Sequence, residues 1–150
     1  AGAGQGTVLS AAECAQMPKL KINEVCAEGK QCAGETDFIE LYNPGPQTVN
    51  LACYTLANDR HTFQLSGDLE ADGVRSWSKG QTRLSLHRER DRVLLTRLGT
   101  SSNIDDVSID ESKSYQQRVA DGQDWELLTH QQVKAKGSVG TPGGKNKSVK

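Results

Sequence analysis

Between residues 37 and 56 apolar and polar side chains alternate twice, on either side of a turn. Ile39 and Leu41 fall on one side of an extended segment, and Phe38, Glu40 and Tyr42 on the other. Asn43-Pro44-Gly45-Pro46 ends the run, because both prolines fix φ and lack an N–H, while Gly45 accepts the positive φ of a reversal. Val49 and Leu51 then share one parity and Tyr54 and Leu56 the other, which predicts an irregular residue such as a β-bulge near Ala52-Cys53. The pattern predicts two strands folded about one tight turn, which need further strands to be stable.

Other segments supply them. Residues 19–25 set Leu20, Ile22 and Glu24 against Lys19, Lys21, Asn23 and Val25, a candidate first strand joined to the hairpin by loop 26–36. Residues 61–65 turn Phe63 and Leu65 inward, and 66–73 form a turn cluster around Leu69. Residues 83–87 place Leu84 and Leu86 on one face, and 92–98 read as a strand, with Arg88-Glu89-Arg90-Asp91 as a polar hairpin loop between them. Ile104, Val107 and Ile109 mark a strand over 104–109, and 112–128 carry Tyr115, Val119, Trp125, Leu127 and Leu128 around Asp121-Gly122. A helix over 111–120 is the alternative there. About seven to nine short strands without a sustained 3.6-residue period predict an all-β fold, an antiparallel β-sandwich. No period of 20–50 residues recurs, which excludes a solenoid or propeller.

Composition narrows the picture. The 150 residues suit one domain, and with two Phe, three Tyr and two Trp the core must lean on Val, Leu and Ile. Residues 1–18 are expected to be a flexible arm, ordered only if Cys14 is bridged, 19–146 the sandwich and 147–150 a polar tail. The whole Gly- and Lys-rich end, 134–150, is expected to leave the fold. A net charge of −1 gives no global field that selects nucleic acid or an anionic membrane. No apolar run nears the roughly 20 residues of a membrane span.

Cys14, Cys26, Cys32 and Cys53 lack the C-x2-C spacing of a zinc site, and an even count at irregular intervals favours disulfides over free thiols. Of three pairings, Cys26–Cys32 with Cys14–Cys53 is preferred: the first closes a short loop between strands and the second ties the arm to the core. Such bridges need oxidising surroundings, so a secreted, cell-surface or periplasmic protein is expected.

INEV at 22–25, DFIELYNPG at 37–45, VNLACYTL at 49–56, SYQQRVADGQDW at 114–125 and TPGGKN at 141–146 occur in one order. In that order and spacing the chain resembles the lamin-tail domain, in its form found in bacterial exported proteins. The resemblance implies an immunoglobulin-like sandwich, with Ile39, Leu41, Leu51, Tyr54 and Leu56 as core, Asn43-Pro44-Gly45 as a turn, and Arg118, Asp121-Gly122, Trp125 and Thr141-Pro142-Gly143 as a closing segment. Cys53 stands where that family has Gly. The 150 residues themselves contain no heptad run and no hydrolase motif, so a role in a nuclear filament is not expected.

Candidate chemistry is sparse. His61, His87 and His130 lie on separate segments without G-x-S-x-G or H-E-x-x-H, so no catalytic residue, metal or cofactor is expected. Asp105-Asp106 and Asp110-Glu111 offer oxygens to calcium but read better as a solvated strand edge. Between residues 75 and 97, Arg75, Lys79, Arg83, Arg88, Arg90, Arg92 and Arg97 outnumber Glu89 and Asp91, with Trp77 among them, a candidate anion-binding stretch. Trp125 is expected to cover one end of the core. The expected function is a non-catalytic binding or structural module engaging a protein or cell-envelope partner. The alternative is a nucleic-acid or anionic-polysaccharide binding accessory to an exported hydrolase.

Overall fold

The computed structural model describes residues 9–100, 103–119, 121–144 and 146. In chain order these form α1 (Ala11–Ala15), β1 (Lys21–Cys26), β2 (Phe38–Tyr42), β3 (Val49–Asn50), β4 (Tyr54–Ala57), β5 (Thr62–Gln64), β6 (Asp68–Leu69) and β7 (Val74–Ser78). Then follow α2 (Lys79–Thr82), β8 (Arg90–Arg97), β9 (Asp105–Asp110), β10 (Tyr115–Arg118), β11 (Trp125–Leu128) and α3 (His130–Lys136). One sheet runs β11-β10-β1-β2-β7, a second β5-β4-β8-β9, and β3 pairs with β6. Every strand pair is antiparallel, an all-β sandwich as the alternation predicts.

The sandwich core lies between the two larger sheets. Ile22, Val25, Ile39 and Leu41 face Tyr54, Leu56, Val93, Leu95, Val107 and Ile109 across it. Each such fully buried Leu or Ile is worth about 1.5–3 kcal/mol relative to exposure. A second cluster, Cys26, Phe38, Tyr115, Leu128, Val133 and Val139 among them, packs on the outer face of the five-stranded sheet. Strand β2 is therefore buried on both sides, which accounts for the apolar Phe38 opposite in parity to Ile39.

Both preferred disulfides are present, Cys14–Cys53 and Cys26–Cys32. The first anchors α1 to the core at Cys14; residues 1–8 of the expected arm and the tail 147–150 lie outside the described residues.

Several local expectations are corrected. The turn after β2 does not make a hairpin: β2 pairs with β1 and β7, whereas β3 pairs with β6 and β4 with β5 and β8. Asn43 holds this crossover, its side chain donating to Gln47 and Leu69 carbonyls and accepting from Gly45 N–H. The parity change at Ala52-Cys53 is a 3-10 turn over Leu51–Cys53 rather than a bulge. A register shift falls instead in β1 between Ile22 and Glu24, so Asn23 and Glu24 both turn outward while Ile22 and Val25 stay in the core.

Residues 83–87 belong to no strand, although Leu84 and Leu86 are both buried. Residues 88–91 form no hairpin loop, because β8 already begins at Arg90. Residues 115–118 are strand, not helix.

The C-terminal segment also packs onto the fold rather than leaving it. Val139 bridges to Cys32, Thr141 N–H donates to Glu24 and Gly143 N–H to Glu40. Among the described residues no helix is long and apolar enough to cross a membrane.

Candidate functional site: a cationic groove at a sheet edge

The seven basic residues singled out from the sequence do not share one face. Arg75 lies over the ring of Trp77 at 5.2 Å, and Trp77 itself is buried in the core, so it presents no stacking surface. Arg88 is drawn to Glu89 and Glu111 at 3.5 and 3.6 Å. Arg90 and Arg92 point outward from β8, because Asp91, Val93 and Leu95 point inward, and they share their shallow surface with Asp59, Glu89 and Asp110. Arg97 is held by the Met17 carbonyl and Thr100.

Lys79 and Arg83 are brought together. Strand β7 ends at Ser78, whose N–H is capped by Gln81 Oε1 at 2.8 Å, and the chain then makes the single turn of α2. Lys79 at its start and Arg83 at its end line the same groove. Arg83 closes it in the left-handed region at φ 62°, its N–H donating to the Lys79 carbonyl. The start of α2 is tied to β2 by Lys79 N–H donating to the Asp37 carbonyl. Asp37 is a buried anchor: its carboxylate accepts from Gly29 and Leu86 N–H groups at 2.8 and 3.0 Å. Burial pushes the Asp37 carboxyl up, while those donors and the nearby Lys79 charge pull it down.

Lys79, Arg83, Gln81 and Thr82 form one wall of an open groove of about 990 Å³. His61, Thr62 and Phe63 from β5 and its approach form another, with Thr36 also at the lining. The side chains of Lys79 and Arg83 are exposed and make no ion pair among the described residues. Among the described residues no carboxylate lines the groove. It thus offers two cations and a histidine beside hydroxyls, an amide and a half-buried ring. Sequence reasoning marked Lys79 and Arg83 but missed His61, Thr36 and Gln81, which no local pattern joins to them. The S-x-x-Q run at 78–81 was the one available signal for the turn.

Two buried polar clusters lie elsewhere. Glu28 accepts a hydrogen bond from the Ser114 hydroxyl and meets His130 Nδ1 at 2.9 Å. The carboxylate thus stands between hydroxyl and imidazole, so the ring is not placed to take the serine proton as a base must. On the outer sheet face Glu24 accepts from Tyr115 and Thr141, and Glu40 from Asn23 and Gly143. Asn146 fastens the same segment, donating to Asp121 and to the Asn23 and Arg118 carbonyls.

Of the acids offered to calcium, Asp105 accepts from Ile22 N–H and meets Arg118, and Asp110 accepts from Ser112. Among the described residues no group of three or more His, Cys, Asp or Glu is arranged to hold a metal ion. Trp125 is half-buried against the main core and carries the Arg118 guanidinium at 4.3 Å from its ring.

No family model matches the chain, and a search of curated proteins finds no match.

Proposed function

We propose that this chain is a non-catalytic binding module of an exported protein, and that it engages an anionic region of a protein or cell-envelope partner through the groove between α2 and β5. The observation that carries the reading is the convergence there of Lys79, Arg83 and His61, without a carboxylate among the described lining residues. Two disulfides support an oxidising compartment, whether secreted, cell-surface or periplasmic. The motif order from INEV to TPGGKN supports kinship with lamin-tail domains, and with it the idea of an accessory module. Nucleic acid or an anionic polysaccharide is the second reading, favoured by the same two exposed cations. The acids beside Arg88, Arg90 and Arg92 weigh against a broad phosphate-tracking face.

The experiment is a binding titration of the native, oxidised chain against polyglutamate, a sulfated polysaccharide and a short DNA duplex, at about 50 and 200 mM salt. The double variant Lys79→Glu, Arg83→Glu is expected to lose at least about tenfold in affinity for its preferred anion. Arg90→Glu, Arg92→Glu should leave that affinity within about twofold. Preference for polyglutamate supports a protein partner and preference for DNA the second reading. Equal binding by the wild type and the groove variant overturns both.

A further inference from the structure

Strand β5 is an edge of the four-stranded sheet and borders the groove at Thr62 and Phe63. Among the described residues it pairs only with β4, in the register Thr55 with Gln64, Leu56 with Phe63 and Ala57 with Thr62. The flanking bonds fix which groups face β4: Leu65 N–H donates to the Tyr54 carbonyl and Asn58 N–H to the His61 carbonyl. In an antiparallel ladder hydrogen-bonded and open pairs alternate, so His61, Phe63 and Leu65 spend their backbone groups on β4. Thr62 and Gln64 therefore turn both N–H and C=O away from the sheet, and both residues are exposed. Thr62 and Phe63 also line the groove whose opposite wall carries Lys79 and Arg83.

An open row of alternating donors and acceptors is what an extended polypeptide pairs with. The cations across the groove select its sign, repelling basic chains and attracting carboxylates. The other edge of the same sheet, β9, carries Asp105, Asp106 and Asp110, a less favourable row for an acidic chain. Nucleic acid has no backbone to match the Thr62 and Gln64 row.

We propose that the β5 edge is a docking strand for an extended acidic segment of a protein partner, which adds to the sheet beside Thr62 and Gln64 while its carboxylates meet Lys79 and Arg83. The proposal rests on the reading of the groove as a binding site. With three residues the edge is about 10 Å long, so few backbone bonds form and the charge contacts set much of the affinity.

The test uses the native chain and a synthetic peptide of alternating Glu and Thr, with two analogues N-methylated at every second residue in opposite phases. The peptide is expected to bind, to slow amide exchange at Thr62 and Gln64, and to lose at least about tenfold in affinity in one methylation phase. Thr62→Pro, which removes an outward N–H at an edge position where proline is tolerated, should weaken binding similarly while its unfolding midpoint confirms folding. Undiminished binding by both methylated peptides, with unchanged exchange, overturns strand addition; if Lys79→Glu, Arg83→Glu still weakens binding, the groove reading survives. Failure to bind the unmodified peptide, or equal binding by the charge-reversed variant, overturns the strand proposal and the groove as the peptide's site together.

Discussion

Glu24 and Glu40 stand directly opposite one another in the β1–β2 ladder, and both are fully buried. Like charges in that relation are costly, and the surroundings answer by surrounding each carboxyl with donors: Tyr115 and Thr141 for Glu24, Asn23 and Gly143 for Glu40. The roof over the pair is the C-terminal segment.

Burial pushes the Glu40 carboxyl up to about 8 and raises Glu24 as well, with Asp121 adding to both. The folded chain thus keeps a proton that the unfolded chain releases near 4.5. Stability from this source is full below about 4.5 and falls as pH rises to about 8. Unfolding midpoints measured across that window should decline, and Glu40→Gln should flatten the decline. A variant whose profile runs parallel to the wild type would contradict the assignment.

Removal of residues 138–150 strips the Thr141 and Gly143 donors from the two glutamates. A chain ending at Gly137 is expected to lose about 3 kcal/mol or more, read from urea unfolding. Unchanged stability would restore the expectation that this segment leaves the fold.

That expectation failed for a physical reason. Local composition at 134–150 reports chain stiffness and charge, but not that β2 offers an uncovered face. The parity of Phe38 and Glu40 was readable from sequence, whereas the cover supplied by Val133, Val139 and Thr141 is a contact across about a hundred residues. The Asn43-Pro44-Gly45-Pro46 stop was equally legible, but a stop says where the chain turns and not which strand it meets next. The short helices were missed although Ser10, Ser78 and Thr129 each precede Glu or Gln by three residues, the capping pattern that all three use. For the groove, sequence supplied Lys79 and Arg83; the approach of β5 to α2 is tertiary.

The two disulfides should differ in weight. Cys14–Cys53 spans 39 residues and Cys26–Cys32 only 6. Chain entropy then predicts losses of about 4 and about 2 kcal/mol on Cys→Ser replacement of each pair. Denaturant unfolding of the two double variants checks the order, and a larger loss for the short loop would oppose it.

Gly122 is confined from two directions. Its φ is +75°, and an added Cβ would lie 2.6 Å from Tyr42 Cε2. Its N–H also donates to the Asn23 side chain at 2.8 Å. Gly122→Ala is expected to cost about 2 kcal/mol or more, measured as a lowered unfolding midpoint. A neutral substitution would mean that this turn is not held against Tyr42.

The most direct measurement is amide chemical-shift mapping of the native chain during titration with polyglutamate at low salt. The binding account predicts shifts concentrated at Thr36, His61, Thr62, Phe63 and the segment from Lys79 to Arg83, reversed by added salt. Shifts centred on Arg88, Arg90 and Arg92, or none at saturating ligand, would contradict it.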